Sequence, residues 1–263
     1  MQFQLVKFPV IRPIVQSINS DIDKFGLHGA MSKKVKKSGA RFLTYGIDEE
    51  VHKILKDEPV LIVANHAHEI DILAILASLP SRPDTSIVIS SRFMNLAPNA
   101  DKHLIPVYIE HHIDKKTEKI KEKFFRRLQP IHVYNEHEEH LKNIQSIALA
   151  SKKLSRGGLV IIFPNPNKNP FTKWYSGVGH LLKGVKSKRK VYVIKVYISG
   201  TSNLDYFRLI PHASRLLKPI KVAFAKPIAI NPILVKHPKE IKSFLEKKYN
   251  AWLKKLQIDT TSI

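Results

Sequence analysis

The chain contains no cysteine. That one absence excludes disulfides, thiol nucleophiles and cysteine-based zinc sites, although it does not identify a compartment. No run approaches 18 apolar residues, so no transmembrane span is expected. The N-terminal stretch QFQLVKFPVIRPIV is apolar but interrupted by Lys7, Pro9, Arg12 and Pro13. It lacks the continuous core of a signal peptide, and reads as a basic segment suited to a membrane interface or to packing on its own domain. No Gly-x-Ser-x-Gly elbow is present, which removes the usual setting of a serine nucleophile in an α/β hydrolase. No repeat or low-complexity linker divides the 263 residues, and 43% are hydrophobic. One folded domain with a substantial core is the simplest reading.

Acidic residues are also scarce: 22 Asp and Glu stand against 44 Lys and Arg, a formal net charge of +22. The excess gathers in residues 1–43, at Lys183, Lys186, Lys188, Arg189 and Lys190, and along Lys236, Lys239, Lys242, Lys247, Lys248, Lys254 and Lys255. A field of this sign favours an anionic membrane surface, phosphorylated small molecules or nucleic acid. Nucleic acid is not the expected partner, because no helix-turn-helix, zinc module or aromatic stacking pattern accompanies the lysines.

What is present alternates. Apolar, β-rich runs at 60–64, 86–91, 104–109, 159–163, 191–198 and 220–225 predict strands. Helical patterns fall at 48–56, 69–79, 114–128, 138–155, 174–185 and 238–256, the last with a clear apolar stripe and Pro238 at its start. The expected fold is a single α/β domain with a mixed, mostly parallel sheet flanked by helices. Its expected divisions are an N-terminal segment 1–44, the α/β domain 45–230, and an amphipathic C-terminal helix within 231–263.

The most informative residues are NHAHEID, 65–71, placed where the strand 60–64 turns into a helix. His66 and Asp71 are five residues apart and can meet across the first helical turn, giving a general base and its orienting partner. Two other segments turn polar on leaving a strand, NPNKNPF (165–171) and SGTSN (199–203). Ligands of open α/β sheets sit at such carboxyl ends, so the three turns form one site if their strands are neighbours.

Asn65-His66-x4-Asp71 after an apolar strand resembles the first motif of the glycerolipid acyltransferase family, which includes the lysophosphatidic acid acyltransferases. The later blocks follow in the family's order. Leu104 to His111 occupies the place of the second block, and Gly157 to Pro164 is similar to the segment entering the Phe-Pro-Glu-Gly-Thr-Arg motif. Val191 to Gly200 stands where the fourth block lies, and Ile220 to Ile228 resembles the closing strand. The resemblance spans about residues 45–230.

It implies an O-acyltransferase acting at the cytoplasmic face of a membrane. The donor would be an acyl-CoA or acyl-carrier-protein thioester, and the acceptor a hydroxyl on a lipid-like, phospholipid-precursor molecule. His66 would be the base, Asp71 its partner, and Asn65 a shaper of the turn, with no cofactor and no metal. Substrate contacts are expected from Asn65, His111, Phe163, Pro164, Asn165, Asn167, Lys168 and Gly200. The chain departs from the family at Asn165-Pro166-Asn167-Lys168, where Glu-Gly-Thr-Arg is the pattern, and at His111, where the second block ends in Arg. Those blocks are associated with the glycerol-phosphate acceptor, so the departures imply a different acceptor, a different way of holding it, or lost catalysis.

Two alternatives stand beside this reading. His66-Ala67-His68 is also a chelating pair, as metal-dependent hydrolases use after a strand, but Glu69 and Ile70 break their His-x-His-x-Asp-His pattern. A non-catalytic basic binder of nucleic acid or anionic membranes is the other. NEHEEH (135–140) places His137 and His140 one turn apart among glutamates, and reads as an acidic, solvated helix start rather than a metal site.

Overall fold

The computed structural model describes residues 11–68, 70–95, 97–108, 134–165, 169–202, 205 and 217–261. The predicted helix 114–128 and the candidates His111, Asn167 and Lys168 lie outside them.

Seven helices are described: α1 (Ile11–Ser38), α2 (Glu49–Asp57), α3 (Ile70–Ser78), the single turn α4 (Pro98–Asp101), α5 (Glu136–Ser155), α6 (Gly177–Lys183) and α7 (Pro238–Thr261). The strands are β1 (Phe42–Tyr45), β2 (Val60–Asn65), β3 (Ser86–Ser90), β4 (Leu104–Val107), β5 (Leu159–Asn165), β6 (Tyr192–Ser199), β7 (Ile220–Phe224) and β8 (Ile228–Ala229). They form one sheet in the order β1-β7-β6-β2-β5-β3-β4, with β8 also on β6. All pairings are parallel except those of β7 and β8 with β6. The expected single α/β domain with a mixed, mostly parallel sheet is therefore the fold found.

β2 is buried at all six positions, as a strand covered on both faces must be. Its alternation divides the core. Val60, Ile62 and Ala64 join Ala74, Ile75 and Leu76 of α3 and the buried residues of α1 and α2. Leu61 and Val63 join Ala150 and Leu154 of α5, Leu181 and Leu182 of α6, and Ile241, Leu245 and Tyr249 of α7.

The N-terminal segment contains a helix packed on the domain, one of its two expected placements. α1 runs through Pro13 because a proline in the first turn lacks only an N–H that has no intrahelical partner there. The helix breaks at Gly26 (φ 69°, ψ 173°), a conformation that glycine adopts freely. Its halves fold back on each other: Lys33 Nζ donates to Asp21 Oδ1 (2.7 Å) and Lys34 Nζ to Ser17 Oγ (2.7 Å). β1, which no sequence pattern signals, forms the sheet edge beside β7.

At the opposite end of the sheet from the polar turns, Arg82 is 6% exposed. Its guanidinium donates to the carbonyls of Leu55 (3.0 Å), Glu58 (2.6 Å) and Gly157, and pairs with Asp84 through two nitrogens. One side chain thus ties the end of α2 to the entries of β2 and β5.

Candidate active site

β5, β2 and β6 are adjacent and mutually parallel, so the turns after all three open on the same edge of the sheet. Asn65 ends β2 and stands in register with Asn165, the last residue of β5. The sequence pattern suggests turn residues, and both belong to strands. Asn65 is buried, and it acts as a bridge between strands rather than as a turn former. Its Nδ2 donates to the Ile198 carbonyl (2.9 Å) and its Oδ1 accepts from the Ile198 N–H (2.8 Å), so its amide pairs with β6 as a peptide would. Asn165 donates through Nδ2 to the carbonyls of Asn169 (3.1 Å) and Thr172 (3.0 Å), closing the loop that follows β5. The expected effect of Asn65→Leu is a stability loss of about 1–3 kcal/mol, because two buried backbone groups of Ile198 lose their partners. Urea unfolding measures it, and a change below about 0.5 kcal/mol would show the bridge to be dispensable.

One residue further on, His66 leaves the strand with its ring 26% exposed. Asp71, in the first turn of α3, is fully buried. Its Oδ2 accepts from the N–H groups of Ala67 (2.7 Å) and His68 (2.9 Å), while its own N–H donates to the His68 carbonyl (3.0 Å). That Oδ2 lies 3.3 Å from His66 Nδ1. The contact is short enough for charge to act but is not aligned as a hydrogen bond, and both Nδ1 and Asp71 Oδ1 are buried without a hydrogen-bond partner. Such contacts tighten when substrate arrives. With Nδ1 buried, the open part of the ring is its Nε2 side. Phe163 of β5 covers one face of the imidazole, the ring centroids 4.6 Å apart.

The remaining candidates divide. Phe163 joins His66, a neighbour that no spacing in the sequence signals. Pro164 is buried and its carbonyl accepts from the Tyr175 N–H (2.9 Å), drawing the loop 169–175 back over the end of β5. Gly200 has a structural reason of its own: at φ 82°, any Cβ would lie 2.7 Å from the Pro219 carbonyl oxygen. His68 contributes its backbone to Asp71, and among the described residues no three His, Asp or Glu side chains are grouped to hold a metal.

The NEHEEH segment is a helix start, with Asn135 and Glu138 forming a reciprocal capping box. It is not wholly solvated, since Glu139 is fully buried.

No family model matches the chain, and no curated protein does. Among solved structures, the chain is similar to the 1-acyl-sn-glycerophosphate (LPA) acyltransferase PlsC of Thermotoga maritima. The identity is 17% and the TM-score 0.47, over 94% of this chain and 80% of that one.

The loop after β5 carries two exposed aromatic residues that composition alone does not flag. Phe171 and Tyr175 are 38% and 70% exposed on the loop after β5, with Lys173 between them. Trp174 points inward instead, its N–H held by Glu246 Oε1 of α7 (2.7 Å). Among the described residues, no helix is long and apolar enough to cross a membrane.

Proposed function

We propose that this chain is an O-acyltransferase that moves an acyl group from an acyl-CoA or acyl-carrier-protein thioester to a hydroxyl of a lipid-like acceptor. The observation that carries the reading is His66 against buried Asp71 at the edge where β5, β2 and β6 all end.

Nε2 of His66 takes the proton of the acceptor hydroxyl as its oxygen attacks the thioester carbonyl. Asp71 holds the ring through Nδ1 and offsets the imidazolium charge. The tetrahedral intermediate collapses to an ester, and the thiolate leaves with the proton returned from Nε2. No acyl-enzyme forms, in keeping with a chain without cysteine or a serine elbow.

Phe171, Lys173 and Tyr175 suit a membrane interface, where aromatic rings and lysines both lodge, and the net charge favours anionic lipid. The reading therefore places the protein peripherally, on the cytoplasmic face. Thiol release from acyl-CoA, measured against a panel of lipid alcohols presented in vesicles, tests the proposal. Turnover is expected with at least one acceptor for the wild type and not for His66→Ala. Equal rates for the two proteins on every acceptor would end it.

A further inference from the structure

The two outer edges of the sheet are finished differently. At β4, the Ile87 N–H donates to the His103 carbonyl (2.8 Å), so the alternation of a parallel ladder turns the backbone groups of Leu104, Pro106 and Tyr108 outward. Pro106 has no N–H to present. Asn143 of α5 answers both groups of Tyr108, accepting from its N–H (2.8 Å) and donating to its carbonyl (2.7 Å). Proline and a covering helix are common ways of closing an edge against other chains.

β1 has neither device. The Ile220 N–H donates to the Arg41 carbonyl (3.0 Å), so Leu43 and Tyr45 bond toward β7, while Phe42 and Thr44 direct their N–H and C=O groups away from the sheet. No strand among the described residues meets that edge. The side chains alternate as well. Phe42 packs into the core that includes α3, and Thr44 Oγ1 donates to Ser78 Oγ of α3 (2.9 Å). Arg41, Leu43 and Tyr45 therefore share the other face, where Arg41 is exposed, Leu43 is 40% exposed and Tyr45 49%.

This edge is complementary to itself. Let an identical strand lie antiparallel to it, with a two-fold axis at Leu43. Each Phe42 then faces a Thr44 and exchanges both bonds with it, and no outward group is left over. A shift by one residue would set outward groups against residues already bonded to β7, so the register is specified. On the open face Leu43 meets Leu43 and Arg41 comes beside Tyr45, both at the close, non-hydrogen-bonded positions where side chains interact best. The flanking charges match too. Lys36 and Lys37 precede the strand, and Glu49 and Glu50 follow it. All four are exposed, and none makes an ion pair among the described residues. The axis brings the basic approach to one strand beside the acidic exit from the other.

We propose that β1 is a dimerisation edge, to which a second copy of this chain adds its own β1 antiparallel about a two-fold axis at Leu43. The inference is independent of the acyl-transfer reading and is tested without measuring turnover.

Sedimentation equilibrium of the full chain at about 0.15 M salt, where a Debye length of ~8 Å screens the distant charges of two +22 copies, reads the association. The mass of the wild type is expected to rise with concentration from 30.1 kDa toward twice that value and no further, because an isologous contact closes at two copies. Leu43→Lys, a change on the exposed face, sets two ammonium groups against each other at the axis. It is expected to weaken the dimer at least about tenfold.

A second measurement reads the register. The chain has no cysteine, so a single introduced thiol reports alone. Leu43→Cys is expected to give a covalent dimer under mild oxidation, since opposed residues at such positions have Cα atoms about 4.5 Å apart, within reach of a disulfide. Tyr45→Cys, at the more exposed position, is expected to stay largely uncrosslinked, because the register sets it opposite Arg41. A wild type still monomeric at about 0.2 mM would overturn the proposal. So would a dimer indifferent to Leu43→Lys, or crosslinking of Tyr45→Cys as fast as that of Leu43→Cys.

Discussion

Asp71→Asn is expected to lower kcat for acyl transfer by about two to three orders of magnitude, and His66→Ala by about three to four. The order follows from what else holds Asp71. The Ala67 and His68 N–H groups both donate to the oxygen that faces His66, so an asparagine placed there must keep its carbonyl oxygen in that position and its amide nitrogen on the other side. The imidazole then keeps an oxygen facing its Nδ1, and loses the charge that offsets the imidazolium. His66→Ala removes the proton acceptor itself. KM should change little in either variant, since neither group is required to bind the ground state. Asp71→Ala should add a loss of stability, because it strands two backbone donors at the start of α3. Steady-state kinetics with the best acceptor found checks the series. If Asp71→Asn retained more than half of the wild-type rate, Asp71 would be only a clamp for the turn.

Arg82→Ala is expected to be the most damaging substitution away from the site, at about 3–5 kcal/mol. The buried guanidinium serves the carbonyls of Leu55, Glu58 and Gly157, and also pairs with the carboxylate of Asp84, which is itself exposed. Alanine leaves three carbonyls unanswered at the entries to β2 and β5, while the exposed Asp84 carboxylate turns to water. For a domain of this size, Tm should fall by about 10 °C or more. Arg82→Lys should recover only part of the loss, since an ammonium cannot span a planar fork of partners. Guanidinium unfolding of the three proteins decides it, and a loss near 1 kcal/mol for Arg82→Ala would show that water or other donors replace the guanidinium.

Much of this architecture is written locally, and the exceptions have physical causes. β2 and β5 are apolar runs, and β6 is one broken only by Lys195, because both faces of each are covered, so periodicity alone finds them. The Asp48 cap of α2 and the Asn135 cap of α5 are equally legible, each being a contact three residues long. β1 is missed because it is four residues long, lies at the sheet edge and is mostly exposed, with a partner almost two hundred residues away. α1 is missed because Pro13 reads as a breaker, although in a first turn it marks a start. At the site, the interval between His66 and Asp71 is visible in the sequence because one turn of helix joins them. The bonding of Asn65 to Ile198 and the cover of Phe163 over His66 depend on strand order, which no local pattern encodes. The polarity of Asn165 suits a loop residue, yet its amide is used inward.

The position of β2 at the centre of the sheet also sets a schedule. It is made early, but its two neighbours are β5 and β6, and roughly a hundred residues separate it from the first of them. At about 5–20 residues per second of synthesis, β2 therefore waits on the order of ten seconds without a partner on either edge. During that interval VLIVAN is a bare apolar strand of the kind that recruits other chains. The turn bearing His66 is assembled only after the chain has passed Ser199, and the edge closes later still, when β7 reaches β1. Full-length chains should accordingly refold slowly, and ribosome-bound fragments ending before residue 199 should be the ones that chaperones hold.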